Sequence, residues 1–406
     1  MKILIHADEY YPTAQACSYR MQVLADTFTA MGDEVTVITS SANKANGVVD
    51  RTAHKERIIY SPSIRMRKKT TIMRLLNNLS FALSSVFAAF IAGKVDVVIT
   101  TSPPPLVSIP GWIIAKLKGA KLVYDVRDIW PDVALEMKSF SEGSIFCKVF
   151  RKIAMFMYKH ADIVTTVSYG KVEKVKNYVA GMRGRKAGTE HTDKVWLVGN
   201  GFDESVLANA YDQSVVDKYE IDKKFTCVYI GNIGLAQGLG ALLDVAAKTK
   251  HKDIQFLLFG MGAEKAVLEK RAADEGLANV RFCGVIEHSK VLSILSKAKL
   301  SFIPLKSSSM KDSVPTKIYE SLGIGCPVLL VAEGDSAAIV QESGFGKIVS
   351  PDHTESLVGV FDEMIDNYGS LEANKEAAKK LMLEKYSRQK IAAGFEKKLK
   401  DLCDKK

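Results

Sequence analysis

Cysteine is scarce and scattered in this chain. Cys17, Cys147, Cys227, Cys283, Cys326 and Cys403 include no Cys-x-x-Cys pair. A zinc ribbon or a disulfide framework is thereby disfavoured, and a reducing cytoplasm is the expected setting. A Walker motif is missing, and so is the Gly-x-Gly-x-x-Gly fingerprint. Gly231-Asn-Ile-Gly-Leu-Ala-Gln-Gly238 has the wrong spacing, and no acid follows the next strand at the distance a dinucleotide site needs. Both an ATPase and a dehydrogenase are therefore disfavoured. His6, His160 and His288 show no metal-ligand spacing and read as structural or surface residues.

Long apolar runs are also lacking. No stretch reaches the roughly 18–20 uninterrupted apolar residues of a membrane span. The opening Met1-Lys-Ile-Leu-Ile-His-Ala-Asp8 turns polar too early for a secretory leader. Positive charge, in contrast, is plentiful and unevenly placed. The net charge is +10, yet residues 1–200 hold 28 Lys and Arg against 17 Asp and Glu, while the remainder holds 28 against 29. Such asymmetry points to a negatively charged partner surface, nucleic acid or anionic lipid. The basic run Arg65-Met-Arg-Lys-Lys69, then Arg74, leads into the apolar segment Leu75–Ala92. Basic residues beside an apolar helical segment suit an anionic membrane surface. A nucleic-acid binder would interleave aromatics among the basic residues, so no nucleic acid is expected. The alternative for this segment is a buried core helix preceded by a solvated basic loop.

The chain of 406 residues is 47% hydrophobic, enough for two or three domains. In its first half, Lys2–His6, Glu34–Thr39, Val95–Thr101, Lys121–Asp125, Asp162–Ser168 and Val195–Val198 read as strands separated by helix-length segments such as Met21–Ala30. The pattern restarts with Phe225–Ile230, Ile254–Phe259, Val280–Cys283, Leu300–Ile303 and Val328–Val331. Strands interleaved with helices predict parallel βαβ units. Gly181–Gly188 reads as a surface loop and Asn200–Lys224 as the connection between halves. The polar segment from Lys385 reads as a terminal helix. The expected fold is α/β, with two Rossmann-like doubly wound domains facing a cleft. The predicted boundaries are 1–202 and 203–384, and a helix over 385–406 is placed so that it can cross back to the first domain.

One segment stands out chemically. Asp312-Ser-Val-Pro315-Thr-Lys317-Ile-Tyr-Glu320 opens a helix at a proline and stops at Gly325-Cys-Pro327. Proline is tolerated at a helix start, and the outward N–H groups and dipole there make a seat for phosphate. Lys317 adds positive charge in the first turn, and Glu320, one turn on, can accept from a ribose hydroxyl. A nucleotide-sugar site is one reading; an ordinary helix start in an α/β domain is the other. Glycine turns at predicted strand ends, including Gly260-Met-Gly262, fall where open parallel sheets bind ligands.

Asp312 to Glu320 has the spacing of the Glu-x7-Glu motif of glycosyltransferase family 4, followed by the expected Gly325-x-Pro327. Val198-Gly-Asn200-Gly201-Phe-Asp203 resembles that family's entry to its second domain, and Tyr10-Tyr-Pro12 through Val37 resembles its first βα unit. Thr101-Ser-Pro-Pro104 and Asp125-Val-Arg127-Asp128-Ile-Trp130-Pro131 bring the chain close to the fucosamine-transferase-like branch of O-antigen and capsule enzymes. The resemblance covers nearly the whole chain and implies the retaining, two-domain GT-B fold.

By that resemblance Glu320 binds the ribose, while the backbone around Val314, Thr316 and Lys317 holds the pyrophosphate. Asp312 faces donor-sugar hydroxyls, although the family usually has Glu there. Gly260 and Gly262 belong to the donor-binding set, with backbone necessity as the alternative. The family's Arg and Lys pyrophosphate pair falls on Asn232 and Gln237, so both charges are absent. Lys317 is the candidate replacement, with Arg20 or Arg127 as further sources of charge. The glycines usual after the first strand are replaced by Thr13-Ala-Gln-Ala16, and no His occurs in Asp125–Asp128. Asp128 is the candidate for the acceptor hydroxyl and Arg127 for phosphate; an internal Arg127–Asp128 pair is the alternative. The absence of an Asp-x-Asp pair, with the resemblance, implies no metal and no cofactor beyond the UDP-sugar substrate.

The implied activity is retaining transfer of a sugar, N-acetylfucosamine named first, from a UDP-sugar to a polyprenyl-diphosphate-linked oligosaccharide. The implied setting is the inner face of the plasma membrane. A GT-B-type UDP-sugar 2-epimerase and a non-catalytic nucleotide-sugar-binding scaffold are the alternatives.

Overall fold

The structure is a computed structural model that describes residues 1–12, 16–46, 54–64, 71–136, 140–181 and 192–404. The basic run 65–69, positions 13–15 of the first loop and 182–188 of the Gly-rich stretch lie outside the described residues. Two units are present: Met1–Asn200 with Arg388–Lys406, and Gly201–Ser387. The chain thus passes between units twice, two residues before the first predicted boundary and three after the second.

In the first unit seven parallel strands lie in the order β3-β2-β1-β4-β5-β6-β7. They are β1 Lys2–His6, β2 Glu34–Ser40, β3 Arg57–Ser61, β4 Val97–Ser102, β5 Lys121–Val126, β6 Ile163–Thr166 and β7 Val195–Leu197. Alternate side chains of a strand face opposite ways, and each face here has its own core. Ile3 and Ile5 pack with Met21, Leu24 and Phe28 of the Ala16–Ala30 helix and with Phe395 and Leu399 of the Arg388–Asp404 helix. Leu4 points into the other cluster, with Phe81, Ile114, Met157 and Val175 from four further helices.

The second unit repeats the plan with six parallel strands in the order β10-β9-β8-β11-β12-β13. These are β8 Phe225–Ile230, β9 Ile254–Phe259, β10 Val280–Gly284, β11 Leu300–Pro304, β12 Val328–Val331 and β13 Gly346–Val349. In both sheets the strand order reverses beside the first strand, and ligands in open α/β sheets bind beyond the carboxyl ends at such switch points.

The Thr71–Ala88 helix and the 3-10 turn Ala89–Ala92 settle the two readings of the apolar segment only in part. Phe81, Ala82, Ala88 and Ala89 are buried, whereas Leu79, Leu83, Phe87, Phe90 and Ile91 are exposed, Phe87 to 72%. One side of this element is therefore core and the other an uncovered apolar stripe. Met73–Ala92 is long and apolar enough to span a membrane by length and composition, with a mean hydropathy of 1.7. Its inner side is nevertheless committed to the sheet core.

Candidate functional site

The rim at the carboxyl ends of the second sheet is built first from backbone. The loop after β8 lies directly on the loop after β9: Gly231 N donates to Phe259 O and Ile233 N to Met261 O, each at 2.9 Å. A Cβ at Gly260 would sit 1.8 Å from Gly231 O, and one at Gly262 would sit 2.1 Å from Ile233 O. These two glycines are required by close backbone approach, which is the alternative raised for them above.

The helix Thr316–Ile324 starts on the same rim, with Pro315 as its extended N-cap and Gly325 as its left-handed C-cap. Its approach is clamped from the side. Asp335 N donates to Lys311 O, Ser336 Oγ donates to Ser313 O, and Gly334 presses on Lys311 O closely enough to exclude a Cβ. Asp312 is buried just before this start, and Val314 and Thr316 are half-buried at it. Lys317 reaches back over the β8 loop, its Nζ 3.8 Å from the centre of the Tyr229 ring. Gly231 makes room for it, since a Cβ there would lie 2.8 Å from Nζ. Burial pushes the Lys317 ammonium down to about 7, with Glu320 opposing the shift.

Glu320 receives an unforeseen partner. His288, on the 3-10 turn that follows β10, holds Glu320 Oε1 at 3.2 Å through Nε2. The sequence reads this histidine as a structural or surface residue, and the pairing with Glu320 is what it did not show. Asn232 is exposed, and its carbonyl accepts from the Tyr229 hydroxyl. Gln237 Oε1 is buried with no hydrogen-bond partner among the described residues. On this rim, therefore, Lys317, Glu320 and His288 converge with the glycine loops, and Lys317 lies in the first turn of the helix.

The corresponding rim of the first unit is dominated by Asp125, at the end of β5. It accepts from Arg20 Nη2 at 2.7 Å, Thr165 Oγ1 at 2.7 Å and Thr101 Oγ1 at 3.0 Å. Burial alone would raise its carboxyl, but Arg20, the Thr165 hydroxyl and Arg127 outweigh burial and hold it below the usual range. Arg20 also donates to Gly199 O and Asn200 Oδ1, so it is committed inside its own unit. Arg127 does not pair internally with Asp128. It donates to Thr101 Oγ1 and Pro103 O, while Asp128 is held by Lys171 at 2.9 Å. Asp8, which follows β1, is a further member that the sequence did not mark. Burial and then Glu9 push its carboxyl up to about 7, against the pull of Arg127. Among the described residues, Asp26, His54 and Glu56 are the one group with metal-type donors. Within it His54 Nδ1 lies 3.0 Å from Asp26 Oδ1, and the Tyr10 hydroxyl donates to Glu56 Oε1.

Two parallel doubly wound sheets, each with a polar rim at its strand carboxyl ends, define a GT-B glycosyltransferase fold. The whole chain superposes on Anabaena HepE in complex with UDP and glucose, with a TM-score of 0.73 at 16% identity, covering 99% of this chain and 100% of that one. It matches the sucrose-phosphate synthase of Thermosynechococcus elongatus with a TM-score of 0.80 at 15% identity, covering 100% of both chains. Residues 213–381 match the family of glycosyl transferases group 1, and residues 17–184 match the glycosyl transferase 4-like domain. The chain belongs to the glycosyltransferases built from these two domains. WcaI of Escherichia coli, named as a colanic acid biosynthesis glycosyl transferase, is 25% identical over 376 residues, 88% of this chain and 90% of its own. The glycosyltransferase WbjE of Pseudomonas aeruginosa is 23% identical over 299 residues, covering 71% of this chain and 72% of its own.

Proposed function

We propose that this chain transfers a sugar from a UDP-sugar to a polyprenyl-diphosphate-linked oligosaccharide in O-antigen or capsule assembly, with retention of configuration. The observation that carries the reading is Lys317, a half-buried cation in the first turn of a helix beside the glycine loop after β8, with Glu320 one turn behind it. The names of the two relatives support the polysaccharide setting, and HepE supports UDP as the nucleotide. N-acetylfucosamine is the first sugar to test, on the branch resemblance of the Asp125–Pro131 segment.

In this reading Glu320, oriented by His288, takes the ribose hydroxyls. The N–H groups around Val314, Thr316 and Lys317 hold the diphosphate, and Asp312 faces the sugar. Lys317 stands in for the charges missing at Asn232 and Gln237, and no metal is invoked because this cation and the helix dipole supply the positive field. The acceptor oxygen bonds to the anomeric carbon as the bond from that carbon to the phosphate oxygen breaks. The bonding pair leaves with UDP, whose phosphate oxygen accepts the acceptor's proton. Asp128 and Arg127 serve the acceptor from the first unit, and the uncovered stripe of Leu83, Phe87, Phe90 and Ile91 rests on the anionic inner leaflet.

Calorimetric titration with UDP tests the core of this. Glu320→Ala and Lys317→Ala should each weaken binding about 10- to 100-fold, the worth of a charge-assisted hydrogen bond. Binding of GDP in place of UDP would replace the donor and keep the transferase. Tight UDP binding with no turnover of any lipid-linked acceptor would favour a scaffold.

A further inference from the structure

We propose that Lys306 is a second cation of the donor site, binding the diphosphate of the nucleotide-sugar opposite Lys317. The proposal rests on the reading of this rim as a UDP-sugar site, and it names the group that meets the diphosphate from the far end of the β8 loop.

The loop Gly231–Gly238 lies where the strand order reverses, between β8 and β11, and it contains no charged residue. Positive charge for a diphosphate there has to come from the elements at its two ends. Lys317 lies against the first residue of the loop, where a Cβ on Gly231 would stand 2.8 Å from Nζ. Lys306 lies against the last. It follows the end of β11 at Pro304, and its N–H donates to Ala236 O at 2.9 Å. Gly238 has a φ of +61°, and a Cβ there would stand 3.0 Å from Lys306 Cα and 3.4 Å from Lys306 Cβ. The end of the loop is thus seated on Lys306, and the first carbon of that side chain borders it.

Among the described residues nothing holds the Lys306 ammonium: no carboxylate or carbonyl accepts from its Nζ, and the side chain is exposed. The lysine at the other end of the same strand, Lys299, covers the Tyr368 ring instead, 5.3 Å from its centre. Lys311, the next lysine along this segment, packs on the loop after β12, since a Cβ on Gly334 would stand 2.8 Å from Lys311 Cβ. Lys306 therefore borders the β8 loop from the β11 side as an unpaired cation. Its flexible four-carbon stem carries an ammonium with three donors. Two lysines at opposite ends of an uncharged loop embrace a diphosphate from both sides. Their charge opposes the negative charge that gathers on the leaving diphosphate as the sugar departs.

The test is titration of the full chain with UDP by calorimetry and with uridine by ligand-observed NMR. Lys306→Met should weaken UDP about tenfold, the lower end for a charge-assisted hydrogen bond because the side chain is exposed. Uridine, which has no phosphate, should bind this variant as it binds the parent. Lys306→Arg should restore most of the UDP affinity, because arginine keeps the charge. Lys223→Met removes an equal charge just before β8, at the amino end of the sheet, and should bind UDP like the parent. An unchanged UDP affinity in Lys306→Met overturns the proposal. So does an equal loss for UDP and uridine, which would mark a packing role, or an equal loss in Lys223→Met, which would mark net charge alone. In each of these cases UDP binding by the parent that weakens in Glu320→Ala leaves the donor site standing. No UDP binding by the parent would overturn the proposed function and this proposal together.

Discussion

His6 and Asp8 stand two positions apart at the end of β1 and titrate against each other. Burial drives His6 down to about 3 from 6.5, so the unfolded chain binds a proton below pH 6.5 that the folded chain refuses, and stability is lost as pH falls. Asp8 is raised from 3.8 to about 7, so the folded chain holds a proton the unfolded chain has released, and stability rises over the same window. Each contributes at most about 1.4 kcal/mol per pH unit. The parent should therefore change little between pH 7 and pH 5 on their account. Asp8→Asn should lose about 2 kcal/mol over that interval and His6→Gln should gain a similar amount, measured by urea unfolding at both pH values. A second residue-scale expectation concerns His288. His288→Ala should raise the KM for donor several-fold with little change in kcat, and His288→Gln should restore it, since an amide N–H can reach the same carboxylate oxygen.

At the scale of elements, the donor helix was legible because its signals are local. A proline at the start, charges in the first turn and glycine at the end all lie within fourteen positions, Asp312 to Gly325. The long-range pairings on the two rims were not legible. His288 meets Glu320 across 32 positions and Lys171 meets Asp128 across 43, and no local pattern announces either. The edge strands β3 and β13 also escaped notice: Arg-Ile-Ile-Tyr-Ser and Gly-Lys-Ile-Val are short and only partly buried, so their periodicity is weak. Two element-level predictions follow from close contacts and exposure. Gly260→Ala forces a Cβ into Gly231 O, and the melting temperature should fall by several degrees, the effect of about 1–3 kcal/mol of overpacking. Leu83→Asp with Phe87→Asp removes two exposed apolar anchors. Sedimentation with anionic vesicles should drop at least tenfold while circular dichroism stays unchanged. Unchanged sedimentation would show that the stripe does not meet lipid.

At the scale of the whole molecule, the two-sheet architecture was legible because each strand–helix alternation restarts plainly after residue 224. The return of the chain to the first unit was only an expectation for a polar terminal helix. The reason it returns lies in a few apolar positions. Ala392, Phe395 and Leu399 are buried, and Phe395 packs on Phe28 with ring centres 6.0 Å apart. The crossing is fastened on both sides: Arg388 Nε donates to Asn200 O in the first unit, and Phe202 N donates to Tyr386 O in the second. Phe395→Ala should cost about 3–5 kcal/mol, and in a melting curve the loss should fall on the first unit.

This connectivity also constrains how the chain is made. A ribosome delivers residues 1–200 first, yet one face of their sheet stays without Phe395 and Leu399 until all of Gly201–Ser387 has emerged. The second unit is contiguous and can close as soon as it is synthesised. The part of the molecule that begins first therefore finishes last, with the share of its apolar sheet face that Phe395 and Leu399 cover left open in the interval. During synthesis that face is the natural client surface for a chaperone, and a stalled or truncated chain would be held there rather than released as a half-enzyme.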